Sequence, residues 1–599
     1  MSDHVSGPKA PKDPTAKRPY FYVMHNKDIY ASPQKDGRGI QFIYENDGRF
    51  ADSARLVGNV TDDEILGLMP TTEGFRKLVH SVGVSVSVKE KEDVTFVLQM
   101  YPADPADPAT VISRTFEANG EEQVIVMEDI DWLPTDSTVG QIRYEFDHPG
   151  VMATVDVRLY LNDGFTAPEQ TADAPVNIDS IEYQLMISHS MLNPGNLAGI
   201  KKVLAKSAEG EKITLGFIGG SITQGAGAIP IHERCYARTF ANVFAEMFCD
   251  GDLSRVDLVK AGVGGTPSEL GMVRFTRDVL RNGARKPDVI VIEFAVNDEG
   301  DETKGECFES LVRKALALPW HPAVILLFAV FSNDYNLQER LGPVGMHYDL
   351  PMASVRDAVT PQFNLSPSEG RVISKNQYFY DQYHPSNNGH IVMCDCIRAL
   401  FLEGVNEMMR EREAELKEYG VAHWDSEYAK YDEAWTKAVE KALARTPLLS
   451  GRFEQVELLD KKDNPLSTEV SFTVGSFDKT DEDLQRVEMD SEIVPVPEFP
   501  YNWHYDGTSD SPEPFVMKCT CTKILAVIKD SGLAEYGTAT ITVDGKKVMD
   551  YNPLDIGWTH CNAVIIHDGN ECSEHEVVIN MAPGSEHKKF TILGFGVVE

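Results

Sequence analysis

The chain has no run of roughly eighteen uninterrupted apolar residues anywhere in its 599 positions, so no membrane-crossing helix is expected. Its opening stretch, MSDHVSGPKAPKDPTAKRPY, has no apolar centre of the kind a secretion signal requires, and the expected location is cytoplasmic. Positive charge is short as well. Against 93 Asp and Glu stand only 56 Lys and Arg, a formal charge of −37, and no long basic stretch interrupts the excess. Such a surface excludes nucleic acid and anionic membranes as expected partners. Cysteine is sparse, nine residues in all, an odd number thinly spread. That argues against a disulfide framework and for reduced thiols. Cys394/Cys396 and Cys519/Cys521 form two C-x-C pairs, each half of a metal site at most; buried thiols are the simpler reading, and no metal or cofactor is expected.

What is present is the composition of a globular protein, 42% hydrophobic, in a chain long enough for about two to four domains. Residues 1–19 are rich in Pro, Lys and Asp and read as a flexible tail. From 20 to 180 the pattern is β: VGVSVSV sets Val82, Val84, Val86 and Val88 on one face, and ATVDVRLYL repeats the alternation, which predicts an N-terminal β-sandwich. Over 181–404 the apolar strands ITLGFIG, VDLVKAG, DVIVIEFAV and AVILLFAVF alternate with helical or turn-opened segments, the pattern of a parallel sheet with helices on both faces. Residues 405–447 read as a helical linker. Residues 448–599 return to strands as a C-terminal β-sandwich, with a hairpin turned at Asp544-Gly545.

One stretch of the α/β part, LGFIGGSITQGAGAIP at 215–230, sets a serine among five glycines directly after an apolar run. A phosphate-binding loop requires Lys after the second glycine of its motif, and Ala226 stands there; the dinucleotide spacing G-x-G-x-x-G is absent. The G-x-S-x-G elbow fails because Thr223 takes the place of its last glycine. What remains is Ser221 at the carboxyl end of the first parallel strand, the edge at which open α/β sheets bind ligands.

A serine hydroxyl needs a base and the base needs an orienting group. YFYDQYHPSNNGH supplies both: Asp381 and His384 leave one loop just before a predicted helix. An oxyanion needs hydrogen-bond donors. The strand ends KAGVGGTPSE and EFAVNDE offer them at Gly265, or Gly264 one place away, and at the Asn297 amide, beside the Ser221 N–H.

Taken together and in this order, GGSIT, GVGGT, AVND and DQYHP resemble the four blocks of the SGNH, or GDSL-type, hydrolase family. The resemblance covers about 210–400. It implies Ser221 as nucleophile, His384 as base, Asp381 as its orienter, and Ser221, Gly265 and Asn297 as the oxyanion hole. It also implies a flavodoxin-like three-layer α/β/α core. The family's first block usually reads G-D-S where this chain has Gly220, and its third usually begins with Gly where this chain has Ala295.

That family cleaves lipids, thioesters and acetylated sugars alike. No broad apolar lid segment follows Ser221, and the β regions resemble the accessory lobes of its carbohydrate esterases. In PYNWHYDGTSD, Trp503 and His504 suit a sugar-binding turn, although Trp503 fits the core of the lobe equally well. The expectation is a serine esterase removing O-acetyl groups from oligosaccharides, with homo-oligomerisation open. The alternatives are a short-chain acyl esterase or thioesterase, and a carbohydrate-binding protein without turnover.

Overall fold

The computed structural model describes residues 18–44, 49–104, 106–170, 172–419, 427–485 and 498–599. Most of the expected tail and residues 420–426 of the expected linker lie outside the described residues. The chain forms two compact units, Met1–Ala174 and Pro175–Glu599.

In the first unit a four-stranded and a five-stranded sheet are both antiparallel. The two strands whose alternation is plainest in the sequence, Val79–Val88 and Met152–Leu161, pair with each other: Val82 faces Leu159 and Val84 faces Val157. The Tyr144 hydroxyl of one sheet reaches Met24 Sδ of the other at 3.6 Å, and Phe96 packs on the Tyr144 ring, so the sheets share a core. Three helices, Arg49–Gly58, Asp63–Leu68 and Thr72–Leu78, interrupt the β pattern. Their starts are local: Asp62 accepts from the N–H groups of Glu64 and Ile65, and Thr71 from that of Gly74, the usual satisfaction of free helix N–H groups.

The second unit is built on a six-stranded sheet. Its five parallel strands are Ile213–Gly219, Val256–Gly262, Val289–Glu293, Ala323–Phe328 and Met352–Ser354. Taken in chain order they lie 2-1-3-4-5, with Met191–Asn193 antiparallel at one edge. This is the flavodoxin-like order, whose direction reverses between strands 1 and 3. The strands are mainly apolar because helices cover both faces.

The boundaries differ from the sequence reading in two places. The segment read as a linker is packed structure. Helix Asn387–Tyr419 starts within the α/β region, and helix Glu427–Leu443 lays Tyr431, Trp435, Val439 and Ala442 in one buried stripe against the core. The Trp435 indole donates to the Pro322 carbonyl at 3.1 Å.

The C-terminal strands are likewise no separate body. Along Phe515–Asp530, Ile524, Ala526 and Ile528 face the β region's own core, while Leu525 and Val527 join the core that contains Met272 and Val273 of helix Ser268–Asp278. With both faces buried there, the stretch Ile524 to Ile528 is apolar without alternation. The predicted hairpin is present between Ala539–Val543 and Lys546–Tyr551. Asp544 at φ 52° and Gly545 at φ 71° have the two positive angles that a type I′ turn demands.

Candidate active site

The site lies where the strand order reverses. Strand Ile213–Gly219 ends at Gly220, and Ser221 opens a short helical turn, Ser221–Gln224. Gly220 is a matter of space: a Cβ there would stand 2.1 Å from Asn297 Oδ1, so the first block of this chain has no room for a side chain before the serine. Beneath the turn, Thr223 Oγ1 bonds the Tyr236 hydroxyl at 2.8 Å and Glu293 at 3.2 Å, all three buried. Burial pushes the Glu293 carboxyl from its ordinary 4.5 up to about 8.

The loop before helix Asn387–Tyr419 is closed by a β-bridge between Phe379 and Pro385, with the Tyr380 N–H donating to the His384 carbonyl at 2.8 Å. Both side chains therefore leave the loop on the same side. His384 Nε2 lies 2.9 Å from Ser221 Oγ, and Nδ1 lies 2.8 Å from Asp381 Oδ2. The N–H groups of Tyr383 and His384 also donate to Asp381, each at 2.8 Å. Desolvation works to raise the Asp381 carboxyl, but the His384 charge and these hydrogen bonds win and hold it at about 2. With Asp381 ionised, Nδ1 carries the ring proton and Nε2 is left to accept from Ser221.

The second histidine of that segment, His390, is separate in role. It is buried; Nδ1 accepts from the Tyr236 N–H and Nε2 donates to the Ala226 carbonyl, both at 3.2 Å. Burial lowers it to about 3, so it is a neutral brace for the loop after Ser221.

The donor loops are held from behind. Arg274, fully buried, sends one guanidinium nitrogen to the Ala261 carbonyl at 2.8 Å and another to the Gly219 carbonyl at 2.9 Å, clamping the ends of strands 2 and 1 together. Gly265 follows, exposed and at φ 73°, a backbone angle suited to glycine. Asn297 is half-buried beside Gly220. The next residue, Asp298, accepts from Ser268 N–H and Oγ at 2.7 and 2.8 Å, tying this turn to the helix start.

Among the described residues, Glu269, Asp301 and Cys307 bring potential metal ligands within 4.8 Å of one another. The two Asp301 oxygens there already accept from Thr303 and Gly305. The C-x-C pairs are buried free thiols, Cys394 and Cys396 in a helix and Cys519 and Cys521 on one strand with their Sγ atoms 3.6 Å apart.

Ser221, Gly265, Asn297, Asp381 and His384 thus lie at the carboxyl edge of one sheet. Trp503 and His504 do not join a binding surface. Trp503 is 1% exposed, packed on Phe472, Phe515 and Phe595, and His504 is buried with Nδ1 bonded to Thr591 at 2.8 Å. The W-H-Y stretch is a strand paired with Phe590–Val598, and this pairing turns the indole inward.

The exposed aromatics at the site are others. Trp558, 46% exposed, stands so close to Gly265 that a Cβ there would meet its ring at 2.7 Å. Next to His384, Tyr383 is exposed and packs edge-on against Phe331. Trp558 sits in DIGWTH, a polar loop with an indole, so the compositional argument applied to Trp503 fits it equally.

A three-layer α/β/α domain presenting Ser, Gly and Asn at successive strand ends and His in the loop before its last helix has the SGNH hydrolase architecture. The GDSL-like lipase/acylhydrolase family matches residues 217–391, so the chain carries a domain of that family and is a carboxylic ester hydrolase. No curated protein matches the chain. Among solved structures, a two-domain esterase (CEX) active on acetylated mannans is similar in fold, both alone and co-crystallised with mannopentaose. Each is 24% identical with TM-score 0.52 and covers 69% of this chain and 99% of its own.

Among the described residues no helix is long and apolar enough to cross a membrane.

Proposed function

We propose that the protein is a serine esterase that removes O-acetyl groups from acetylated oligosaccharides through an acyl-enzyme. The observation that carries this reading is the unbroken hydrogen-bond series Ser221–His384–Asp381 at the sheet's reversal point. His384 Nε2 takes the Ser221 proton as Oγ attacks the acetyl carbonyl carbon. The negative charge that develops on the carbonyl oxygen is met by the N–H groups of Ser221 and Gly265 and the Asn297 amide. Collapse returns the proton from His384 to the departing sugar oxygen and leaves acetyl-Ser221. Water, deprotonated by the same histidine, then releases acetate. Asp381, ionised throughout, keeps the ring oriented and offsets its transient charge.

The sugar half of the reading is supported by the fold shared with an esterase active on acetylated mannans. It is also supported by Trp558 and Tyr383, two exposed aromatic faces of the kind that pack on sugar rings, flanking the triad. Acetate release from acetylated manno-, xylo- and chito-oligosaccharides, read beside 4-nitrophenyl esters of rising chain length, tests both halves. Expected are acetate from at least one oligosaccharide, a steep fall from 4-nitrophenyl acetate to butyrate, and loss of all turnover in a folded Ser221→Ala variant. Rising kcat/KM with chain length would favour a longer-chain acyl esterase, and a fully active Ser221→Ala variant would sink the acyl-enzyme.

A further inference from the structure

Gly265 carries the least constrained backbone of the proposed oxyanion hole. At φ 73° and without a Cβ it can exchange between conformations that other residues avoid. A trans peptide points its C=O and the following N–H in opposite directions, so the N–H of Gly265 is aimed by whatever holds the carbonyl of Gly264. Were that peptide to flip, a carbonyl would replace the donor and repel the developing negative charge.

Both peptide planes of Gly265 are held from the C-terminal β-rich part. Gln485 Nε2 donates to the Gly264 carbonyl at 3.1 Å and to the Thr559 carbonyl at 3.2 Å. His560 Nε2 lies 3.1 Å from the Gly265 carbonyl, while its Nδ1 lies 2.8 Å from Asp530 Oδ2. Asp530 and His560 are directly opposite each other on paired strands, and Tyr551 donates its hydroxyl to the other Asp530 oxygen at 2.6 Å. Asp530 is 1% exposed and His560 5%, and the Trp558 ring lies 4.9 Å from the imidazole, so the pair is shielded from water that would compete for the glycine carbonyl. Each of these side chains comes from more than two hundred residues beyond Gly265 in the chain.

We infer that Gln485 and the Asp530–His560 pair are positioning residues for the ester hydrolysis proposed above: the C-terminal β-rich part completes the oxyanion hole by fixing the Gly264–Gly265–Thr266 backbone. The hydrogen bond on the Gly264 carbonyl also polarises that peptide and strengthens the N–H it aims. This inference rests on Ser221 being the nucleophile, and it makes the β-rich part necessary for substrates that carry no sugar.

The test uses the full chain and 4-nitrophenyl acetate, with inactivation by diethyl 4-nitrophenyl phosphate, whose phosphoryl oxygen occupies the same donors, as second readout. Removing an oxyanion donor outright costs roughly 10²–10³ in kcat; freeing its backbone should cost about ten- to a hundredfold. Gln485→Ala, at a half-buried position, and His560→Ala should each lower kcat by that factor with KM within about twofold, and should slow phosphorylation of Ser221 in proportion. His560→Gln, which keeps an N–H donor toward Gly265, should recover most of the loss. Thermal melting identifies any variant that fails to fold, and Gln485→Ala then decides alone. Folded Gln485→Ala and His560→Ala proteins with wild-type kcat on an active parent would overturn the inference. A wild-type protein inert toward both reagents would instead overturn the hydrolase reading on which it rests.

Discussion

At the scale of single residues, Glu293 has the most direct consequence for pH. It ends the third parallel strand and holds Thr223 under the Ser221 turn, with its carboxyl pushed up to about 8 by burial. In the unfolded chain the group ionises near 4.5. Between these values the folded protein keeps a proton that the unfolded chain has lost, so this group makes stability fall as pH rises through that window. Glu293→Gln keeps the shape and a hydrogen-bonding partner for Thr223 without the titration. Its Tm should decline less between pH 5 and 8 than the wild-type Tm, with the two closest at the acid end. Parallel Tm curves for the two proteins would show that the carboxyl is ionised in the folded state. The candidate residues could be picked out at this scale because Ser221, Gly265 and Asn297 each follow an apolar strand, and Asp381 and His384 stand together in one short segment. Gln485, Asp530 and His560 could not, since a contact across more than two hundred residues leaves no local pattern. Trp503 misled for a related reason: an indole beside Asn and His reads as a polar turn until strand pairing shows which way it faces.

Elements repeat the lesson. The four long parallel strands could be read as apolar runs, whereas Met191–Asn193 and Met352–Ser354, three residues each, are too short to carry a period. The helices of the first unit were hidden by their β surroundings, although Asp62 and Thr71 mark their starts. KILAVIKD in the C-terminal part held an unread signal. Its five consecutive apolar residues, Ile524 to Ile528, mark a stretch buried on both faces, which already implies a second body against it. Helix Ser268–Asp278 is the element on which the site most depends, because its Arg274 joins the strand ends that lead to Ser221 and Gly265. Arg274→Met should remove one hydrogen bond from each carbonyl, leaving Gly219 its 3.2 Å bond from the Val263 N–H, at about 1 kcal/mol per bond lost, and should cost more than tenfold in kcat as the two loops drift. Arg274→Lys should not recover activity, since a single ammonium cannot fork to two carbonyls as the planar guanidinium does. Melting curves and 4-nitrophenyl acetate kinetics read both effects; full recovery by lysine would mean that charge alone, and not the fork, is what this position supplies.

For the whole molecule the open question is how the β-rich C-terminal part contributes to choosing a substrate. Truncation is a poor probe, because Leu525, Val527, Leu593 and Val598 share one core with Met272 and Val273, and removing residues 448–599 would strip helix Ser268–Asp278 of its packing. A single exposed side chain separates the roles. Trp558 stands over Gly265 with nearly half its surface free, so it can pack on a sugar ring one unit away from the acetyl group without touching the reacting atoms. In Trp558→Ala, KM for an acetylated oligosaccharide should rise about tenfold, in keeping with the ~1 kcal/mol that aromatic packing adds beyond area burial, together with the apolar area no longer covered. On 4-nitrophenyl acetate, whose small alcohol half places no sugar ring on Trp558, KM should change less than twofold. Turnover on both substrates should stay near wild type as long as His560 still holds the Gly265 carbonyl. Equal KM changes on the two substrates would assign Trp558 to the acyl pocket instead. A fall in kcat on both, with KM unchanged, would mean that the indole serves chiefly to keep water away from His560, and the sugar would then have to be held by Tyr383 and the opposite wall.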